Sequence, residues 1–368
     1  MLLGVVIHAA NPYAVTGRWL VHDPEVLPFF DGLVHTIRLF RMPAFFLLSG
    51  YFSTMLLRRW SVDAFLRVRL LRLGVPLLTT LFTVNLVQAW YLVGRGDAAG
   101  ELVTRTLPEE WWSGRLLGHL WFLVFVLVFC LLAAALAPAL RRVAASGALS
   151  GLKSTSGISA LVVVAVAAGL VPRVLRHVAP WLEEPVLGLG EPLVLLGYLP
   201  FFAGGAALQL EPSALPRFSR PGLGAAAVAL VAIVVQLLVG AGDRGSSGLV
   251  SRVAELTLVW VIVRFVFALF HLWASEPAPL FGYLADASYS VYLLHHLVVV
   301  VAASMLVGLR WGAAVKFSLV LACASVLPLA AHHFLILRRP LLRFLLNGRR
   351  AATPATATAT GLPATPGR

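Results

Sequence analysis

Residues 116–140 read LLGHLWFLVFVLVFCLLAAALAPAL and contain no Asp, Glu, Lys or Arg. A helix needs about 20 predominantly apolar residues to cross a bilayer, so this stretch predicts a membrane span. Nine further apolar segments are expected near residues 1–15, 29–56, 70–93, 158–171, 192–210, 223–239, 249–273, 288–307 and 313–337. The predicted fold is all-α: a polytopic integral membrane protein with about ten transmembrane helices around a central polar cavity.

The composition of the whole chain excludes several classes of protein. Of the 368 residues, 60% are hydrophobic and only 12% are charged, against roughly 25% charged in soluble domains. The net charge is +13, but many basic residues lie at the ends of apolar runs and form no water-facing patch for nucleic acid. Cys130 and Cys323 lie inside apolar runs without metal-ligand spacing, so we predict no metal site.

The loop charges predict the orientation in the membrane. We define face one as the side of the loop after the first segment and face two as the opposite side. Lys and Arg number ten in the loops of face one and sixteen on face two, so face two should be cytoplasmic and hold both termini. Residues 1–347 form the predicted membrane domain, and the Ala/Thr/Pro-rich residues 348–368 a disordered cytoplasmic tail.

Ionisable side chains occur where the bilayer should be, at a cost of about 2.5–3.5 kcal/mol each, and are therefore functional candidates. His8 lies in the first segment. His35, Arg38 and Arg41 are spaced three apart in the second and share a helix face next to Pro43. The alternatives are that His8 is a core histidine bonded to a neighbouring helix, and that the span begins later, so that the two arginines snorkel.

Two further candidates lie where spans meet the membrane surface. Arg69 and Arg72 are three apart where the third span begins at face two, a spacing that suits a bound phosphate, lipid headgroups or plain anchoring. His119 and Trp121 open the fourth span at face one. They could contact a substrate or belong to an interfacial belt.

The ninth span carries a polar stripe made of Ser288, Tyr289, Tyr292, His295 and His296. So many hydroxyl and imidazole groups within a few turns indicate the wall of a wet cavity. Hydrogen bonding between helices is the competing interpretation. The eighth span holds two more charges, Glu255 and Arg264, whose role is open at this stage.

Seven short motifs along nearly the whole chain resemble the integral-membrane acyltransferases of the acyltransferase-3 family. Within that family the chain is most similar to the branch that succinylates osmoregulated periplasmic glucans. In chain order the motifs are GVVIHAA (4–10), FRMPAFFLLSGYF (40–52), RLLRLGVP (69–76), HLWFL (119–123), YLPFFAGG (198–205), ASYSVYLLHH (287–296) and LRFLLNG (342–348).

The resemblance implies O-acyl transfer in a bacterial cytoplasmic membrane. The donor would be cytoplasmic acyl-CoA, a co-substrate and not a bound cofactor. The acceptor would be a hydroxyl of an extracytoplasmic molecule, usually a saccharide. The family's essential histidine corresponds to His8, and its functional R-x-x-R arginines to Arg69 and Arg72. The family also carries an acidic residue and an arginine before that histidine. Only residues 1–7 precede His8 here, so we expect the opening turns of this helix to lie upstream of Met1.

These considerations assign a predicted role to each candidate residue. His8 would act as general base, with Arg41, Tyr292 and His295 as further catalytic residues that stabilise developing charge. Arg69 and Arg72 would bind the donor phosphates. The predicted substrate-binding residues are His35, Arg38, His119, Trp121, Ser288, Tyr289 and His296.

Three alternatives stay open at the level of sequence. His8 could itself be acylated first. The protein could instead be a secondary transporter or flippase for a small anionic or sugar-like solute. It could also be a non-catalytic assembly partner that has kept the scaffold.

Overall fold

The computed structural model describes residues 2–17, 19–95, 107–239, 246–273 and 278–349. Within these ranges the chain forms helices and connecting loops, without a β-strand. In chain order the helices are α1 (Leu2–Ala10), α2 (Pro28–Arg59), α3 (Val62–Gly94), α4 (Leu107–Trp112), α5 (Gly118–Ala135), α6 (Ala137–Ser146), α7 (Thr155–Val178), α8 (Pro192–Leu210), α9 (Leu223–Val239), α10 (Ser246–Trp273), α11 (Pro279–Leu306), α12 (Ala313–Ile336) and α13 (Pro340–Asn347).

The helices confirm an all-α polytopic membrane protein. Eight helices of the described chain are long and apolar enough to cross a membrane, and a ninth is added if the pair Pro212–Phe218 and Leu223–Val239, bent by 63°, counts as one span. The helix α1 has 9 residues and is shorter than the roughly 20 that a span needs. Of the predicted tail, only Gly348 and Arg349 lie within the described residues.

The direction of the helices follows from their order. The helix α2 begins at face one and ends at face two, and successive spans alternate. The helices α5, α8, α10 and α12 therefore also begin at face one, whereas α3, α7, α9 and α11 begin at face two. This order decides which residues of different helices lie at the same depth.

Glycines allow α2 and α8 to pack closely against each other. An ideal Cβ on Gly50 would lie 1.9 Å from the carbonyl oxygen of Phe202, and one on Gly205 would lie 1.9 Å from that of Leu47. Small residues at such contacts are typical of membrane helices, because lipid supplies no hydrophobic force that drives helices together. The contact brings Tyr198 of α8 against α2, where its ring stacks on Phe46 at 4.6 Å.

A buried ion pair ties the loop between α1 and α2 to α12. The Nζ atom of Lys316 lies 2.8 Å from both carboxylate oxygens of Asp23, and the two side chains are only 0% and 1% exposed. The backbone N–H of Asp23 also donates to the carbonyl of Pro12 at 3.0 Å. Lys316 is one of the ten basic residues counted above for the loops of face one, and that assignment is wrong, because it lies inside α12 and pairs with a buried carboxylate.

Candidate active site

Four histidine side chains from three helices form one cluster in the middle of the bundle. They are His8 of α1, His119 of α5, and His295 and His296 of α11. Their six ring-centroid distances lie between 4.6 and 6.5 Å, with His8 at 4.8 Å from His296 and 5.3 Å from His295. We call these four residues the imidazole cluster. Among the described residues, no group of three or more His, Cys, Asp or Glu is arranged to hold a metal ion.

Hydrogen bonds fix the orientation of two rings of the cluster. The Nδ1 atom of His295 lies 2.9 Å from the carbonyl oxygens of Val291 and Tyr292, and that of His296 lies 2.7 Å from the Oε1 atom of Gln88. Because these oxygens only accept, each Nδ1 must carry a hydrogen and donate it. A neutral His295 therefore presents the lone pair of Nε2, which is buried and has no partner within the described part of the chain.

The other two rings hold nitrogen atoms that the protein leaves unbonded. The Nδ1 atom of His8 and both ring nitrogens of His119 are buried, without a hydrogen-bond partner in the described chain. Buried polar atoms normally have a partner, either protein or ordered water. Several such atoms in one cluster indicate a place where water or a polar ligand belongs.

Arg41 brings a positive charge beside the cluster. It lies near the middle of α2, and its Nη1 atom lies 2.8 Å from the position of an ideal Cβ on Gly4 of α1. The absence of a side chain at Gly4 therefore gives the guanidinium its room. The Nε atom of Arg41 is buried and without a partner among the described residues. The side chain of Arg41 thus lies at the site and does not snorkel to the membrane surface.

A cavity of about 290 Å³ adjoins the imidazole cluster, and we call it the central cavity. Its polar wall is formed by His8, Arg38, Arg41, His119, Trp121, Tyr198, Tyr292 and His295. Seven of these eight residues were predicted from the sequence as catalytic or substrate-binding. The volume is near the lower end of the range of about 300–1,000 Å³ for small-molecule sites.

Two more cavities lie on the face-one side of the central cavity. The lateral cavity has about 350 Å³ and is lined by parts of α2, α7, α8 and α10. The loop cavity has about 280 Å³ and lies beneath the loop between α1 and α2. Arg38 lines all three cavities, Tyr198 lines the central and lateral ones, and His35 lines the lateral and loop ones. The three cavities between face one and His8 thus share polar lining residues.

Arg69 and Arg72 lie elsewhere, near face two, and line none of the three cavities. The Nη2 atom of Arg69 donates to the hydroxyl of Ser53 at 3.2 Å, and its guanidinium lies 5.4 Å from the ring centre of Phe65. Arg72 belongs to a π-helical turn, Leu70–Gly74.

The main chain at Arg72 connects α3 to the polar stripe of α11. Pro76 has no N–H to donate to the carbonyl of Arg72 four residues earlier. The hydroxyl of Tyr289 donates to that carbonyl at 2.9 Å instead. The ring of Tyr289 stacks on that of Tyr292 at 6.5 Å, and Tyr292 belongs to the central cavity. One face of α11 therefore leads from the arginine pair to the imidazole cluster.

All three hydroxyl groups of the stripe donate to main-chain carbonyls, that of Tyr289 to Arg72 as described above. The hydroxyl of Ser288 donates to the carbonyl of Ala285 in its own helix at 2.8 Å. That of Tyr292 donates to the carbonyl of His119 at 2.6 Å, which fixes α11 to α5. Ser288 and Tyr289 line none of the three cavities, so hydrogen bonding between and within helices describes these two residues better than a cavity wall does.

Three residues at the site were not predicted from the sequence. Tyr198 joins two cavities, Trp19 has its ring 6.1 Å from His8 and 5.4 Å from His296, and Gln88 orients His296. Gln88 is a polar side chain inside a span, and the rule that identified His8 would have found it. Trp19 lies in a loop, and no sequence pattern indicates that this loop folds over the site.

Comparison with known proteins identifies the family of the chain. The acyltransferase-3 family, described as an acyltransferase domain, matches residues 1–331. The chain is 28% identical over 367 residues to proteins named Glucans biosynthesis protein C from Salmonella heidelberg (strain SL476), Salmonella typhi and Salmonella typhimurium, covering 95% of this chain and 92% of each relative. No solved structure matches the chain. The chain therefore belongs to the acyltransferase-3 family and is a multi-pass membrane acyltransferase.

Proposed function

We propose that this acyltransferase moves an acyl group, of acetyl or succinyl type, from cytoplasmic acyl-CoA to a hydroxyl of an extracytoplasmic saccharide. The observation that carries the proposal is the position of His8, with an unbonded ring nitrogen, in a polar cavity that also holds Arg41. Imidazole has a pKa near neutral pH in water and is the commonest general base. The relatives' name, with its reference to glucans, supports a saccharide acceptor.

In this proposal the reaction is a single displacement at the thioester. The acceptor hydroxyl gives its proton to His8 while its oxygen attacks the thioester carbonyl. The new C–O bond forms, the C–S bond breaks, and the imidazolium returns the proton to the CoA thiolate. General-base catalysis typically contributes about 10²–10⁴-fold to such a step.

Arg41 is the residue that we assign to the developing negative charge on the carbonyl oxygen. The hydroxyl of Tyr292 is engaged with a main-chain carbonyl, and a neutral His295 presents a lone pair rather than an N–H. We therefore assign to His295 the acceptance of a hydrogen bond from a second, unreacted hydroxyl of the acceptor, and to Tyr292 the positioning of α11. A preorganised donor in the position that we assign to Arg41 typically contributes about 10²–10³-fold to the rate.

We place the donor at face two, and the excess of Lys and Arg there supports a cytoplasmic position for this face. Both termini would then lie in the cytoplasm of a bacterial cell, whose inner membrane holds the protein. Arg69 and Arg72 would hold the CoA phosphates, and the acyl end would follow Tyr289 and Tyr292 towards the central cavity. Acyl-CoA is a co-substrate in this scheme, without a permanently bound cofactor.

Sided vesicles test the proposal. Inverted membrane vesicles containing the protein would receive acyl-labelled succinyl-CoA outside and a glucan trapped inside. We expect label on the trapped glucan, and none in vesicles made without the protein. Passage of glucan or acyl donor across the membrane without a new ester would instead identify a transporter, and transfer of label only to glucan on the donor side would contradict the two-sided arrangement.

A further inference from the structure

The lateral cavity contains an unusual set of charged side chains. It is formed where α2, α7, α8 and α10 approach face one, and it shares Arg38 and Tyr198 with the central cavity. Six of its lining residues are charged: Arg38, Arg176, Arg252, Glu183, Glu191 and Glu255. Glu183 and Glu191 belong to the loop between α7 and α8, and all six side chains are at least partly exposed, so these charges line a cavity that opens towards face one.

The charges of the lateral cavity are balanced, with three arginines and three glutamates. Arg176 pairs with Glu183, and the Nη1 atom of Arg252 lies 2.7 Å from a carboxylate oxygen of Glu255. Arg38 donates to the side-chain carbonyl of Asn11 at 3.3 Å. The Glu191 carboxylate forms no hydrogen bond or ion pair with the described residues. The cavity thus offers both donors and acceptors without a net charge.

Apart from His35 and Tyr198, the rest of the wall is apolar and comes from α2, α7, α8 and α10. Leu193, Val194, Phe201, Val259 and Pro172 contribute to it. A saccharide ring has the matching chemistry: its hydroxyls both donate and accept, and its C–H faces are apolar. A phosphate or carboxylate ligand would instead face three glutamates, and a cation would face three guanidinium groups.

We propose that the lateral cavity is the acceptor site and that it binds an uncharged oligosaccharide segment. The assignment rests on the proposed function. Glu191 accepts hydrogen bonds from sugar hydroxyls, and Arg38 donates to them. Tyr198 and Arg38 form the boundary at which one hydroxyl passes into the central cavity towards His8. The volume of about 350 Å³ admits a short segment and leaves the remainder of a longer chain outside.

A cavity-filling variant tests the assignment without disturbing the helix. An ideal Cβ on Gly197 meets no atom within 4 Å, although Gly197 lines the lateral cavity, so Gly197→Trp should fill the space. Gly224 also meets nothing within 4 Å and lies at the start of α9, so Gly224→Trp is the matched control. With laminaripentaose as the acceptor, we expect Gly197→Trp to raise its KM about tenfold or more and the control to leave it unchanged.

A second pair of variants tests the chemistry of the site. Glu191→Gln should raise the KM for the uncharged oligosaccharide by about tenfold, because hydrogen bonds to charged groups are the stronger ones. The exposed Glu184 lies outside the lining, and Glu184→Gln is its control. The dissociation constant for CoA, measured by calorimetry in nanodiscs, should not move in any of these variants.

Two results separate this inference from the proposed function. If the wild type acylates the oligosaccharide and both site variants keep its KM within about twofold, the lateral cavity is not the acceptor site. If the wild type acylates no saccharide, the proposed function fails. Saturation-transfer NMR with laminaripentaose and the unreacted protein then tests, independently of acyl transfer, whether the lateral cavity binds a saccharide. A signal that is present in the wild type and lost in Gly197→Trp supports the site. A signal that persists in Gly197→Trp, or that is absent from the wild type, overturns it.

Discussion

The buried pair Lys316–Asp23 supports the clearest quantitative prediction, for the variant Lys316→Met. Both side chains are almost completely buried, and Lys316 makes two bonds of 2.8 Å to the carboxylate. Removing the lysine leaves a buried carboxylate whose only other hydrogen bond among the described residues is from the backbone N–H of Glu25 at 2.8 Å. Removal of one partner from such a pair typically costs about 3–5 kcal/mol.

The cost should appear first in the loop that the pair holds. Residues 19–27 of this loop carry Trp19 over the imidazole cluster. Since each 1.36 kcal/mol is a factor of ten in an equilibrium, local opening should increase roughly 10²- to 10³-fold or more. Hydrogen exchange followed by mass spectrometry in detergent measures this directly on a peptide that covers the loop.

Two further variants make the measurement decisive. Asp23→Asn combined with Lys316→Met removes both charges and keeps an acceptor for Glu25, so exchange should return close to the wild-type rate. Lys153 is 60% exposed and lies 3.6 Å from Glu211, and its substitution by Met should change little, because surface pairs contribute about 0–1 kcal/mol. Loop exchange in Lys316→Met within about threefold of the wild type would refute the reasoning.

Three other perturbations have outcomes that follow from the same structure. Gly205→Ala places a Cβ 1.9 Å from a main-chain oxygen of α2, so the melting temperature in detergent should fall by the equivalent of about 1–3 kcal/mol, whereas Gly224→Ala should not lower it. Arg41→Gln should reduce kcat about 10²–10³-fold with a smaller effect on either KM; an unchanged kcat would remove it from charge stabilisation. Arg69→Gln and Arg72→Gln should raise the KM for acyl-CoA and spare that for the acceptor, and a change in protein insertion alone would identify them as anchors.

Much of the site was predictable from one physical rule. Charged and imidazole side chains are costly inside a membrane, and this cost alone identified His8, Arg41 and His295 as candidates. The structure brings them to one cavity. The rule fails for Lys316, because a lysine near the start of an apolar segment looks like a residue at the membrane surface. Its partner is 293 positions away in the sequence.

Helix lengths and contacts between helices were predicted less well than the site residues. The length of α11 was underestimated, since it begins at Pro279 rather than near Ser288. Polar residues such as Tyr283 and Asp286 continue the helix beyond the apolar run. The hydroxyl of Tyr292 donates to the main-chain carbonyl of His119 in α5, a partner that the sequence of α11 does not reveal. The lateral cavity likewise depends on four helices that meet at one depth.

The general base is the most direct point at which to test the account. The measurement is the single-turnover rate of acyl transfer by His8→Gln, in membranes where its amount and insertion equal those of the wild type. We predict a rate that is lower than that of the wild type by about 10²-fold or more, with the binding of CoA and of laminaripentaose both retained. A rate within about threefold of the wild type, with both substrates bound, would show that another group removes the proton.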